Sequence, residues 1–216
     1  MADLSKIAIL LTSHPKQQKW WEPVLLSLER YPGPLVLAYD DIDLAAIPFR
    51  ILSRFEGFAP TGHPAGALGQ SSGELTCLRE GFRAVTKLDV DIDYVLKLGF
   101  DEPPWRWRNI VKLAEQLEAE GLDCIDCETR IIFGRPGPFL KAMELSDVAA
   151  RKGGSAEGYW TTSLGRLKLK RLRIDDREWW EKTLGLIHLQ GEYAANAGQK
   201  NSWSWTIGEL WPRKVK

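Results

Sequence analysis

The sequence alternates apolar runs of strand length with amphipathic segments, and this alternation is the feature that most restricts its fold. Residues 6–12 and 94–98 are apolar runs that end in polar turns. Residues 16–30 and 74–87 place apolar side chains at helical spacing. Runs that are apolar on both faces are typical of buried parallel strands, which need helices to cover them. The pattern therefore predicts an α/β fold with a mostly parallel central sheet flanked by helices.

The same criteria place the remaining elements. Further strands are predicted at residues 35–39, 49–55, 123–133 and 166–174. Further helices are predicted at residues 103–120 and 139–151 and after Asp175-Asp176, whereas residues 56–72 are expected to form a glycine-rich loop. The end of the chain is expected to be an irregular aromatic extension of a single domain that covers residues 1–216.

Composition excludes several classes of protein. The chain has 216 residues with 29 basic and 29 acidic side chains, so overall charge gives no reason to expect nucleic acid as a partner. No apolar run reaches the length of a transmembrane segment. Three cysteines are too few for a secreted disulfide framework, so we expect a cytoplasmic location. The oligomeric state is left open.

The glycine motifs that commonly bind nucleotides are missing from the sequence. It contains neither the glycine pattern of dinucleotide sites nor that of P-loop sites. Cys124 and Cys127 are spaced as Cys-x-x-Cys, but they fall in a predicted strand. Side chains three residues apart in a strand point to opposite faces, so we interpret this pair as structural.

Polar clusters follow the predicted strands. In open α/β sheets, ligands bind outside the carboxyl ends of the strands. Ser13 is also a typical helix cap, and aspartates are also typical of solvated turns. A carboxylate directly after a central strand is costly without a partner, which favours a functional role for Asp101. The clusters are Thr12, Ser13 and His14; Asp40, Asp41 and Asp43; and Asp101 and Glu102.

On these residues the chain resembles the GT-A fold of nucleotide-sugar glycosyltransferases over about its first 140 residues. In that family, the first strand and its loop frame the nucleotide, and an acid after the second strand, here Asp40 or Asp41, contacts the base or ribose. An Asp-x-Asp then holds a divalent cation against the diphosphate. Residues 93–101 resemble that segment but read Gly99-Phe100-Asp101, so the first acid is missing. The resemblance implies Mn²⁺ or Mg²⁺ as a cofactor while leaving metal dependence open.

The resemblance also implies roles for later residues. Glu157, ahead of Asp147, is the expected base that deprotonates the acceptor hydroxyl. Lys97 and Arg130 are expected donors to the departing diphosphate, beside the nucleotide contacts of Thr12, Ser13 and His14. The expected metal ligands are Asp101, Glu102 and His188, although a lone histidine on an apolar helix face is more typical of a core residue.

Ten tryptophans exceed what a core of this size requires. The pairs Trp20-Trp21 and Trp179-Trp180 lie on predicted helices, where packing against the sheet is expected. The others fall after strand ends or in late segments, where flat rings can stack on sugars. We therefore expect acceptor-stacking roles for Trp105, Trp160, Trp203 and Trp205.

The resulting expectation is an enzyme that moves a sugar from a nucleoside-diphosphate sugar to a hydroxyl of an acceptor carbohydrate. Residues 1–102 would form the nucleotide-binding part and residues 103–216 the acceptor side. Two alternatives remain open: a non-catalytic carbohydrate-binding or scaffold module on the same fold, and a sugar nucleotidyltransferase. The turn Thr12-Ser13-His14-Pro15 lacks the glycine-rich, basic loop of the latter class.

Overall fold

The computed structural model describes residues 2–13, 21–40, 42–62, 70–99, 102–150 and 154–186. Within them, seven strands form one sheet. Four strands come from the first hundred residues: β1 (Ile7–Ser13), β2 (Leu35–Tyr39), β3 (Gly57–Pro60) and β4 (Tyr94–Gly99). The other three are β5 (Cys124–Cys127), β6 (Ile131–Gly134) and β7 (Arg171–Arg173).

Seven α-helices lie in the same described residues, and short 3-10 turns at Leu4–Lys6, Leu44–Ala46 and Trp107–Asn109 accompany them. None of these helices is both long and apolar enough to cross a membrane. The helices are α1 (Trp21–Ser27), α2 (Phe49–Leu52), α3 (Gln70–Val85), α4 (Ile110–Glu120), α5 (Pro136–Ala150), α6 (Ala156–Arg166) and α7 (Arg177–Leu184).

The strand order across the sheet is β3-β2-β1-β4-β6-β5-β7. Strand β6 runs antiparallel to both of its neighbours, and the other four pairings are parallel. Six strands therefore end at one side of the sheet, here called the carboxyl edge, where β6 begins. This arrangement confirms the predicted α/β fold with a mostly parallel sheet.

Two apolar cores cover the sheet, one on each face. In β1, Ile7, Ile9 and Leu11 enter the core of the first face, and Ala8 and Leu10 enter the core of the second. The period of two explains why this run is apolar throughout. Helices α1, α2, α4 and α7 pack on the first face, and α3, α5 and α6 pack on the second.

The chain reverses direction across the sheet after β3. From β1 it proceeds to β2 and β3 with its helices on the first face, and α3 then carries it over the second face to β4, on the other side of β1. Such a reversal opens a crevice between the two strands at which the order diverges. In this fold the crevice lies at the carboxyl ends of β1 and β4.

The predicted third strand at residues 49–55 is wrong. Residues Phe49–Leu52 form α2, and β3 follows at Gly57–Pro60 inside the predicted glycine-rich loop. Only Ile51 of the four α2 residues is buried, and 82% of Phe49 is exposed to solvent. A buried strand needs apolar side chains that the protein covers, and Phe49 is not covered.

The predicted bounds of one strand and one helix also differ from those in the structure. Residues 123–133 form a hairpin of β5 and β6, whose turn includes Glu128 at a φ of 55°. The helix predicted at residues 103–120 begins at Ile110, because Pro104 is extended and pairs with Leu186.

Helix α6 was not predicted, and it ends at Arg166, the first residue of the strand expected at residues 166–174. Of that expected strand only Arg171–Arg173 is extended. Ser155 caps α6, since its hydroxyl accepts a hydrogen bond from the Gly158 N–H at 3.0 Å. The signal was present in the sequence as buried residues at helical spacing, although two glycines obscured it. These residues are Ala156, Trp160, Ser163 and Leu164.

Candidate functional site

Three predicted nucleotide contacts lie close together at the carboxyl edge, around the end of β1. Thr12 pairs with Gly99 across β1 and β4, and its hydroxyl lies 3.4 Å from the Leu98 carbonyl oxygen. Ser13 and Asp40 are adjacent, because the Asp40 N–H donates to the Ser13 carbonyl oxygen at 3.2 Å. The topology therefore brings Thr12, Ser13 and Asp40 to the place where an open α/β sheet binds ligands.

The hydroxyl of Ser13 is used inside the protein. It accepts a hydrogen bond from the indole N–H of Trp21 at 3.1 Å, and both residues are buried. This contact fixes α1 against the end of β1. Trp21 thereby confirms the packing role expected for its position in the first helix.

A cleft lies further along the same edge, beyond β4. It lies between the β5–β6 turn and α7 and is partly open to solvent. Ile131, Trp180 and Leu186 supply its apolar base, and all three belong to the core of the first face. The polar side chains that line the cleft are Glu102, Cys127, Arg130, Asp175 and Glu181.

Arg130 is the predicted anion donor that the structure places in this cleft. Its side chain is exposed and forms no hydrogen bond or ion pair with the residues that the structure describes. Asp175, in contrast, accepts hydrogen bonds from Arg173 at 2.7 Å. The Arg130 guanidinium can thus donate to an anion or to hydroxyl groups, with carboxylates opposite it.

Lys97 does not point toward a ligand as a diphosphate donor would. Only 4% of the residue is exposed, and its ammonium donates to the carbonyl oxygens of Thr129 and Arg130 at 2.6 and 2.9 Å. The side chain lies beside Cys77 on the second face of the sheet. The role expected for Lys97 needs correction, because two of its three N–H groups are committed to backbone carbonyls.

The two cysteines of the Cys-x-x-Cys pattern lie on opposite faces, as predicted. Cys124 is buried in the second core, and Cys127 packs against the first and lines the cleft. Burial raises the pKa of the Cys127 thiol, and the positive charge of Arg130 acts against that increase.

Replacing Arg130 with glutamine is expected to raise the pKa of Cys127 further, because a charge that favours the thiolate is lost. Thiolate is the reactive form, so alkylation by iodoacetamide should slow at neutral pH, and its pH profile should move upward. The measurement is the alkylation rate between pH 6 and 10. Cys77 and Cys124 are buried, so the full chain reports on Cys127.

The substitution Arg30→Gln is the matched control for this experiment. Arg30 is exposed and precedes β2, at the opposite edge of the sheet. An unchanged profile in Arg130→Gln, or an equal change in Arg30→Gln, would contradict the proximity of Arg130 to the thiol.

Trp160 is not an acceptor platform. It is fully buried in α6 and packs edge-to-face on Phe139 of α5, with ring centroids 5.7 Å apart. This contact belongs to the core of the second face, whereas the apolar base of the cleft belongs to the first. Trp105 is 41% exposed and remains a predicted platform.

The predicted catalytic carboxylates stay predictions. Glu157 is half-buried in the first turn of α6. Asp147 belongs to α5, but its side chain is outside the described part of the structure. Six other predicted site residues also lie outside the described residues: His14, Asp41, Asp101, His188, Trp203 and Trp205.

The described residues do not assemble a divalent metal centre. They contain no group of three or more His, Cys, Asp or Glu side chains that could hold a metal ion. Of the predicted ligands only Glu102 is described, and its carboxylate also accepts a hydrogen bond from the Gly99 N–H at 3.3 Å. One carboxylate is short of the six oxygen ligands that Mg²⁺ prefers.

A buried ion pair on the second face of the sheet was not predicted from the sequence. The carboxylate of Asp126, fully buried in β5, accepts a hydrogen bond from Arg171 Nε of β7 at 2.7 Å. Asp126 also accepts from the Glu128 N–H at 2.8 Å, so it holds the turn from which Arg130 projects. The one available signal was an aspartate inside the predicted strand, in Cys124-Ile125-Asp126-Cys127.

Comparison with known proteins supports the fold. The chain matches no protein-family model and no curated protein. It is similar to a solved structure from Desulfovibrio desulfuricans G20 whose name is "putative nucleotide-diphospho-sugar transferase". The two share 16% sequence identity at a TM-score of 0.52, over 79% of this chain and 80% of that chain. At this identity the likeness establishes a shared fold: a mostly parallel α/β sheet of the kind found in that transferase-named protein.

Proposed function

We propose that the chain is a glycosyltransferase that moves a sugar from a nucleoside-diphosphate sugar to a hydroxyl of another carbohydrate. The observation that carries this proposal is the carboxyl edge around β1, where Thr12 lies at the crevice beside β4 and Ser13 contacts Asp40 after β2. Such crevices bind nucleotides in open α/β sheets. The transferase name of the structural neighbour supports the same class of donor.

In this proposal the nucleotide occupies the crevice and the reacting groups lie toward the cleft. The Thr12 hydroxyl is half-buried, and its contact to Leu98 is long at 3.4 Å, so it can bind a ribose or base instead. Arg130 is the described cation at the cleft that can stabilise the departing diphosphate. Exposed Trp105 offers a flat surface for the acceptor sugar.

The reaction forms one bond and breaks one bond at the anomeric carbon of the donor sugar. The acceptor oxygen bonds to that carbon while the bond to the diphosphate oxygen breaks, and the diphosphate leaves with the electron pair. The acceptor proton passes to a base, for which Glu157 is the first candidate and Asp147 the second. A divalent cation held by Asp101, Glu102 and His188 would supply further charge for the leaving group.

Nucleotide sugars are expected to stabilise the full chain against heat. A donor present at one hundred times its Kd adds about 2.7 kcal/mol to the free energy of unfolding. For a protein of this size, that raises Tm by roughly 5–10 °C. The measurement is a thermal-shift screen with UDP-, GDP-, CMP- and dTDP-sugars, with and without Mn²⁺, followed by calorimetry on the best donor.

A pair of threonine variants locates the binding site. Thr12→Val removes a hydroxyl at the crevice and should weaken donor binding about two- to tenfold. Thr86→Val removes an exposed hydroxyl at the far end of α3 and should leave binding unchanged. If no nucleotide stabilises the chain, the proposal is wrong, and binding of sugars alone would favour the non-catalytic carbohydrate-binding module.

A further inference from the structure

The turn between β5 and β6 is held by a buried ammonium group. Lys97 lies in the middle of the apolar strand β4, and its Nζ donates to the carbonyl oxygens of Thr129 and Arg130 at 2.6 and 2.9 Å. Burying a charged amine is costly, so a lysine in this position needs a specific function. Two carbonyls of one turn are the partners that the described residues provide.

The same turn is held from its other end. The Glu128 N–H donates to the buried carboxylate of Asp126 at 2.8 Å, and Glu128 adopts a φ of 55°. Asp126 is in turn paired with Arg171. A backbone in the left-handed region persists only where its surroundings fix it. Charged groups on both sides therefore fix the turn from residue 128 to residue 130.

The side chain that leaves this fixed turn is Arg130. It lines the cleft and forms no hydrogen bond or ion pair with the described part of the chain. A long side chain loses rotational freedom when it binds an anion, and a fixed backbone lowers that cost. The structure thus combines a rigid anchor, Lys97, with a guanidinium whose donors are not used by the residues that the structure describes.

We infer that Lys97 is a positioning residue, which holds the backbone of Arg130 so that its guanidinium is directed into the cleft to bind an anionic group. That the anion is a nucleoside diphosphate rests on the proposed function. The coupling of Lys97 to Arg130 does not rest on it, and the two statements are tested separately.

The charge that Arg130 presents in the cleft can be measured through the reaction rates of the Cys127 thiol. This half-buried thiol lines the same cleft, and the other two cysteines are buried. We compare its reaction rates with a sulfonate-bearing and a trimethylammonium-bearing methanethiosulfonate in the full chain. The rate with the sulfonate reagent divided by the rate with the trimethylammonium reagent increases with the positive charge near the thiol. Arg130→Gln is expected to lower this ratio about three- to tenfold.

A double-mutant cycle distinguishes positioning from a direct charge effect or a loss of stability. Lys97→Met is expected to lower the ratio by about the same factor as Arg130→Gln, and the double variant to lower it no further. The exposed residues Lys141 and Arg30 provide matched controls, since Lys141→Met and Arg30→Gln should leave the ratio unchanged.

Two results would show that Lys97 does not position Arg130. A ratio unchanged in Lys97→Met, or two effects that multiply in the double variant, would overturn the inference, because Lys97 would then act independently of Arg130. Where Lys97→Met does not fold, Lys97→Gln retains an amide donor for one carbonyl. Its ratio should lie between those of the parent chain and Arg130→Gln, and an unchanged ratio would likewise overturn the inference.

Nucleotide binding tests the proposed function on the same variants. UDP is the probe, and its Kd should rise about tenfold in Lys97→Met and in Arg130→Gln, with no further rise in the double variant. If no nucleotide binds while the thiol ratios remain coupled, the proposed function fails and the positioning role stands. If UDP binds but the variants act independently, the positioning role fails alone.

Discussion

Replacing Arg171 with methionine is expected to lower the free energy of unfolding by about 3–5 kcal/mol, because it leaves the buried carboxylate of Asp126 without its counter-ion. None of Asp126 is exposed, and the Arg171 side chain is 14% exposed. Arg171 Nε donates to one carboxylate oxygen at 2.7 Å, and the second oxygen accepts from the same guanidinium. Urea unfolding at neutral pH measures the effect.

The contacts around this pair explain why the loss is large. Arg171 also donates to the hydroxyl of Thr161 in α6 at 3.0 Å, so β5, β7 and α6 share one group of charged hydrogen bonds. The thiol of Cys124 lies 3.1 Å from Asp126 Oδ2, the carboxylate oxygen that accepts from Arg171 Nε. Water cannot replace these donors easily in a site that excludes it.

Two further variants test the mechanism of the loss. Asp126→Asn in the Arg171→Met background removes the unpaired charge but keeps an acceptor for the Glu128 N–H, so it should recover part of the stability. Arg173→Met, on the same strand, breaks exposed pairs with Glu128 and Asp175 and should cost about 1 kcal/mol or less. Equal losses in Arg171→Met and Arg173→Met would refute the role of burial.

The fold was predictable where burial on both faces makes a strand apolar throughout. Strand β2 has the predicted bounds, and β1 and β4 end within one residue of theirs. The carboxyl edge then followed from the topology of parallel strands. The prediction failed at Phe49, because an apolar residue on the surface looks the same in a sequence as one in the core.

The site was less predictable because its polar contacts join residues distant in the chain. The sequence suggests that Lys97 is available to bind an anion. In the structure its ammonium donates to the carbonyl oxygens of Thr129 and Arg130, which follow 32 and 33 residues later in the chain. Asp126 and Arg171 are 45 residues apart, and nothing local to either residue indicates the other. Arg130 was expected inside a strand at residues 123–133, whereas the structure places it in the turn between β5 and β6, where it lines the cleft.

Trp160→Ala is expected to lower the free energy of unfolding by about 3–5 kcal/mol, the usual cost of deleting a buried aromatic side chain. Trp160 packs on Phe139 and lies in the core between α3, α5 and α6. Its substitution leaves a cavity that the rigid helices cannot fill by moving together. Chemical unfolding with Trp105→Ala as the matched control measures the difference.

A second variant separates the contribution of the Trp160 indole N–H from that of the whole side chain. It is buried and has no hydrogen-bond partner among the described residues. Trp160→Phe therefore removes a polar atom that stabilises nothing, and its cost should be only about 1 kcal/mol. Trp105→Ala should likewise cost about 1 kcal/mol or less, because 41% of that residue is exposed.

The effects on ligand binding should follow the opposite order to the effects on stability. Under the proposed activity, Trp105→Ala weakens binding of the acceptor carbohydrate, whereas Trp160→Phe leaves donor and acceptor binding unchanged. A Trp160→Phe variant that is stable but loses acceptor binding would contradict the assignment of Trp160 to the core. Comparing the two tryptophans by stability and by binding thus separates the aromatic residue that builds the core from the one available to a ligand.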